Sequence, residues 1–230
     1  QLFPEVSVGR MDWDSTRGKW DFDKIIEAFD QGRIQILVGT QMVVKGLDFK
    51  NVMLVGVINA DHVLNFPDFR AHERSYQMLC QVAGRAGRSD QKGKVLIQTF
   101  QPDHLILKQV LKHDNHELFE VQKNERQNYR YPPYCRMIRI TFKSRQFDTV
   151  NTASQWFSNV IKQSYKGAVL GPAFPTVTRV RNYYQKQLLI KIDTEDNPKA
   201  VKKLLNRTYM SFQAITAFRS TRVNFDVDPF

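Results

Sequence analysis

Two short runs rich in apolar and β-branched residues, Ile34–Val38 and Val52–Ile58, constrain this chain more than any other feature. Runs of that length with little polar alternation read as strands buried on both faces, as in parallel sheets covered by helices. Helical spacing fills the chain around them. Phe22, Ile25, Ile26 and Phe29 recur at helical period from Asp21 to Gln31, and Gly32 ends that run. A helix is expected over Phe69–Ala86, a third strand over Gly93–Phe100, and a further helix over Pro102–Lys112. Strands alternating with helices predict an α/β domain with a mostly parallel sheet over residues 1–113.

The character changes after that point. Residues 114–134 read as a polar connecting helix followed by the stiff break Tyr131-Pro132-Pro133-Tyr134. Residues 135–230 read as a smaller α+β domain. Arg136–Phe142 alternates as a strand, Asp148–Tyr165 is an amphipathic helix, and Val169-Leu170 enters a strand closed by Gly171-Pro172. Gln187–Asp193, Pro198–Met210 and Arg222–Val227 follow as strand, helix and strand, with Pro198 placed in a first turn. The order β-α-β-β-α-β is the ferredoxin-like split arrangement.

Charge divides along the same line. Residues 1–113 hold 15 Lys and Arg against 13 Asp and Glu, whereas residues 114–230 hold 19 against 10. The basic half suits a polyanionic partner, although a merely solvated basic face fits charge alone as well. With 42% hydrophobic and 25% charged residues, the composition is that of a soluble globular protein and excludes collagen and disorder. Cys80 and Cys135 are too few for a disulfide framework or a structural zinc site, so no metal site is expected and a reducing cytosol is the simplest setting. No stretch approaches the roughly 18 apolar residues of a membrane span. The opening Gln1-Leu2-Phe3-Pro4-Glu5 has no signal-peptide pattern and begins in mid-pattern, which is expected of an excised fragment.

Two segments carry chemistry. Gln81-Val82-Ala83-Gly84-Arg85-Ala86-Gly87-Arg88 sets two arginines three apart at an expected helix end, where both guanidiniums could serve one phosphate. Gly39-Thr40-Gln41-Met42-Val43-Val44-Lys45-Gly46-Leu47-Asp48-Phe49 follows an apolar strand, where α/β domains bind ligands. A third strip, Arg179–Gln187, interleaves cations with Tyr183 and Tyr184. It fits either phosphate pairing with base stacking or a hairpin whose tyrosines pack across strands. His113 and His116 read as solvated helix residues, and Trp13, Trp20 and Trp156 as packing anchors.

The segments at 39–49 and 81–88 resemble motifs V and VI of superfamily 2 helicases. Arg10–Thr16, Asp68–Arg74, Tyr131–Tyr134, Gly171-Pro172 and Asp226-Val227-Asp228-Pro229 extend the likeness, in chain order, to the PriA family of replication-restart helicases. The resemblance implies a RecA-like second helicase lobe followed by an S10-like C-terminal domain. It implies ATP and Mg²⁺ as cofactors, with Arg85 and Arg88 pointed at the γ-phosphate and one serving as arginine finger. Gln81 and Gly84 match the same motif, and Gly46 with Asp48 the motif coupling nucleotide state to DNA grip. Gly39, Thr40, Gln41 and Lys45 fall on the single-stranded DNA side. Arg179 and Arg181 are the expected DNA contacts of the second domain.

The family also implies forked DNA, other primosome proteins and the acidic tail of the single-stranded DNA-binding protein as partners. Gln187 matches a polar residue of the tail pocket, whereas Tyr183 stands where the family has Arg. The family's zinc-binding cysteines are absent from this chain, as are a phosphate loop and an acidic Mg²⁺ motif, so the fragment alone is expected to be inactive. Two other readings stay open: another superfamily 2 helicase of RecG or RecQ type, and a non-catalytic nucleic-acid-binding module derived from a helicase lobe.

Overall fold

The computed structural model describes residues 4–12, 21–40, 52–86 and 93–229. It divides into two compact units, residues 1–121 and 122–230.

In the first unit, β1 (Val8–Met11) leads through α1 (Asp21–Asp30) to β2 (Ile36–Gly39), which pairs parallel with β1. The strand β1 was not expected. Fully buried Met11 anchors it against Phe22, Ile25, Ile26 and Phe29 of α1, the residues whose period marked the helix. Gly9 admits the close approach of Ile34, whose Cδ1 would lie 2.8 Å from an added Cβ.

The strand β3 (Leu54–Val57) continues through α2 (Asp61–Leu64) and α3 (Ala71–Ala83) to β4 (Lys94–Ile97), again a parallel pair. Next come α4 (Leu105–Lys112) and α5 (Asn115–Asn128). Leu64, Tyr76, Leu79, Ile106 and Val110 form the core on which Val57 and Ile97 pack.

Two expectations are corrected here. Among the described residues the four strands form two parallel pairs, not one continuous sheet. Nor are the strands covered on both faces, since Leu54 and Leu96 are 57% and 62% exposed while their neighbours Val57 and Ile97 turn inward. The described helices cover one face only.

Polar ties close the ends of these elements. Asp61 accepts the Thr99 hydroxyl at 2.8 Å and the Phe100 N–H at 3.0 Å, joining the end of β3 to the end of β4. The Phe100 bond, more than any other cause, holds its carboxyl below the usual range. His104 caps α4, its Nδ1 accepting the Ile106 N–H at 3.2 Å, with its ring edge-on to His72. His113, expected within a helix, instead ends α4 in the left-handed conformation at φ 53°.

The second unit holds one antiparallel sheet in the order β6-β8-β5-β9, from β5 (Cys135–Ser144), β6 (Val169–Ala173), β8 (Tyr183–Asp193) and β9 (Arg222–Val227). The short β7 (Arg179–Val180) pairs with the start of β8. Its link to β8, Arg181-Asn182, has φ of 47° and 65°, the paired positive values of a type I′ hairpin turn. Two helices, α6 (Phe147–Ser164) and α7 (Pro198–Ala214), bury one sheet face. Phe142, Phe157 and Phe212, from sheet and both helices, meet within 6.1 Å between ring centroids. Trp156 packs at the edge of this cluster, as an anchor. Trp13 and Trp20 lie outside the described residues.

The segment at the Tyr131–Tyr134 break and the closing Asp226–Pro229 run are both fastened to the sheet. Lys191 donates to the Tyr129 carbonyl at 2.7 Å and lies 3.8 Å over the Tyr131 ring, holding the segment before β5 against β8. Asp228 accepts from Arg136 at 2.6 Å and from the Met137 N–H, while Arg139 donates to the Pro229 carbonyl, so the last residues are laced to β5.

Gly171 sits at φ +97°, where an added Cβ would meet the Gln187 carbonyl oxygen at 2.8 Å. Gly171→Ala is expected to destabilise the protein by about 2 kcal/mol, read from the urea midpoint. Burial first, then His72, lowers the His104 pKa from 6.5. The unfolded chain therefore takes up this proton more readily, so its stabilising contribution is complete above about pH 6.5 and is lost as pH falls through the folded value. The urea midpoint should drop over that window, and less so in His104→Asn, whose amide caps without titrating.

Candidate functional site

The Gln81–Arg88 segment begins inside α3 and leaves it. The helix ends at Ala83 with Gly84 as its cap, so Arg85 lies on the turn beyond it. The expected helix to residue 86 is thus three residues too long. Gly84 itself has an ordinary helical backbone, φ −67° and ψ −5°. An added Cβ would meet only the Cys80 and Gln81 carbonyls at 3.5 and 3.7 Å, ordinary contacts. Its own conformation does not demand glycine. Gln81 is exposed and Arg85 half-buried. Arg88 lies outside the described residues.

The second segment opens at the carboxyl end of β2. Gly39 pairs with Met11, the Thr40 N–H donates to the Met11 carbonyl, and both Gly39 and Thr40 are exposed. Gln41, Lys45, Gly46 and Asp48 lie outside the described residues. Between these segments, Asp68 accepts the Arg70 N–H at 2.8 Å and pairs with Arg74 at 3.1 Å, ordering the entry to α3.

In the second unit the strip at 179–187 is the hairpin, and its tyrosines are occupied. Arg222 and Arg145 lie 5.0 and 5.5 Å from the Tyr183 ring centre, and Arg179 lies 5.0 Å from that of Tyr184. Tyr184 also meets Phe147 edge-on. Rings crowded by guanidiniums offer bases little free face. They gather cations, which then face solvent. Arg179 and Arg181 are exposed at the hairpin end, with Arg179 reaching the Asn182 side chain.

The helix-free sheet face continues this patch. Register places Lys143 directly opposite both Gln185 and Arg222, and Thr141 opposite Gln187 and Asn224. Like charges facing each other across strands destabilise a sheet unless an anion joins them. Lys143, Arg145 and Arg222 escaped sequence reasoning because two segments far apart in the chain, the end of β5 and the start of β9, deliver them. The only local signal was the alternation of Arg136–Phe142, which continues to Lys143.

Comparison with known proteins assigns both units. Residues 9–90 match the helicase conserved C-terminal domain and residues 127–230 the primosomal protein N C-terminal domain. The chain is therefore a helicase-type C-terminal lobe followed by a primosomal C-terminal domain. Replication restart protein PriA of Bacillus subtilis is 34% identical over the whole chain, that of Synechocystis 38% over 83% of it, and that of Haemophilus influenzae 34% over 99%. The chain belongs to the PriA family. It spans 28%, 23% and 31% of those three relatives.

Proposed function

We propose that this chain is the second lobe and C-terminal domain of an ATP-dependent 3′→5′ DNA helicase that recognises stalled or branched forks and initiates primosome assembly. The observation that carries the reading is the succession, in one chain, of the helicase and primosomal domain matches. In this reading residues 1–113 are a RecA-like lobe, 114–134 a connector, and 135–230 a ferredoxin-like, S10-like domain. The antiparallel order β6-β8-β5-β9 with two helices on one face supports the last assignment.

Arg85 and Arg88 supply positive charge to the phosphates of ATP, and Gly84 leaves room for the approach. The chain has no phosphate loop of its own, so the remaining phosphate and Mg²⁺ contacts fall to other parts of the protein. Gln81, Gly46 and Asp48 link that event to DNA grip through Gly39, Thr40, Gln41 and Lys45, whose backbone groups, hydroxyl and ammonium suit phosphates. Arg179 and Arg181 hold DNA from the hairpin, and Gln187 on the helix-free face contacts the acidic tail of the single-stranded DNA-binding protein. Arg145 and Arg222, crowding Tyr183, bring cations to the position where the family carries Arg. Zinc belongs to the rest of the protein, which acts in the bacterial cytoplasm at the nucleoid.

In the full-length protein, Arg88→Ala should lower DNA-stimulated ATP turnover by about 10³-fold with DNA affinity nearly unchanged. Gly84→Ala should lower turnover without moving the thermal midpoint. Unaltered turnover in Arg88→Ala would remove the finger assignment. Neutralising Arg179 and Arg181 should reduce the salt slope of single-strand binding by about 0.7 for each phosphate that is no longer neutralised, measured by fluorescence anisotropy.

A further inference from the structure

The outer face of α7 carries cations that the hairpin site does not use. Lys199, Lys203, Arg207 and Ser211 follow one another at four-residue spacing, and Lys202, Asn206 and Met210 form the adjacent row. These seven side chains line one shallow trough on the exposed side of the helix. Val201, Leu205, Thr208 and Phe212, on the opposite side, are buried against the sheet and α6, so the basic face has a fixed orientation. No Asp or Glu occurs in Pro198–Ala214. Among the described residues, none of the four cations has a carboxylate partner.

The nearby carboxylates are otherwise engaged or outside the trough. Asp193 pairs with Arg130 at 2.7 Å, Asp196 accepts from the Tyr165 hydroxyl, and Glu195 is exposed in the preceding turn. Three lysines in the first half of a helix also oppose its dipole, which favours anions there. Solubility is served by mixed signs, and this face carries one sign only.

We propose that the outer face of α7 binds the phosphate backbone of duplex nucleic acid. Lys199 to Arg207 spans about 12 Å along the helix axis. Successive four-residue steps of about 6 Å bring a row of cations to a strand of regularly spaced negative charge. Asn206 and Ser211 add donors for phosphate oxygens. The face presents no free aromatic ring, since Tyr209 packs edge-on against Phe225, so single strands find no stacking platform on it. The hairpin cations and the α7 row then form two separate contacts on one domain. This inference rests on the reading that the chain binds nucleic acid and adds a second surface to it.

The test uses the whole chain with Lys202→Gln, Lys203→Gln and Arg207→Gln combined, and Lys202→Arg with Lys203→Arg as the charge-preserving control. Anisotropy titrations with a labelled duplex and a labelled single strand are run across a salt series. The duplex slope of log K against log salt is expected to fall by about 2–3, with the single-strand slope unchanged and the control unaffected. An unchanged duplex slope overturns the α7 assignment. So does binding of an acidic peptide by this face with no duplex bound. If the unsubstituted chain binds neither DNA, the nucleic-acid reading falls with it. If the hairpin variants alone weaken binding, the α7 surface alone is refuted.

Discussion

The meeting of Phe142, Phe157 and Phe212 is the contact on which the arrangement of the second unit depends. Each ring comes from a different element, and each is shielded from water. Tilted or edge-on aromatic contacts add to the gain from apolar burial, and their geometry limits how the helices lie on the sheet. With α6 and α7 on one face, and the Tyr129–Tyr131 segment over Lys191 on the other, the exposed remainder includes the Lys143–Arg222 end of the helix-free face and the outer side of α7. Both are basic.

Polar residues divide into two kinds. Asp61, Asp68, Lys191, Asp228 and the Tyr165–Asp196 pair use their hydrogen bonds to close turns and fasten segments. Asp68 and Asp228 lie in segments by which the PriA likeness is recognised, so those two motifs record structural demands. Half-buried Lys143 and the exposed cations Arg181, Lys202, Lys203 and Arg207 have no such employment among the described residues. Holding like charges close together costs stability in the absence of an anion.

Gly84 illustrates how a motif residue is separated from its fold. A glycine at positive φ, such as Gly171, is explained by its own backbone. Gly84 is not, because its dihedrals suit any residue and a Cβ would meet only ordinary contacts.

The sequence alone determined which segments become helix and strand wherever periodicity was strong. Phe22 to Phe29, the alternation from Arg136, and the apolar face from Val150 to Ile161 all correspond to elements of the structure. It also determined the PriA likeness, through motifs whose residue order is local. Missed were β1, whose Val8–Met11 is too short for a period, and the early end of α3, where Gly84 could equally have continued the helix. Tertiary structure decided the pairing of Lys143 with Arg222 and the crowding of Tyr183 by Arg145. It also decided which side of α7 meets solvent. Those facts depend on strand register and on which face each helix buries, and both are set by contacts between residues far apart in the chain.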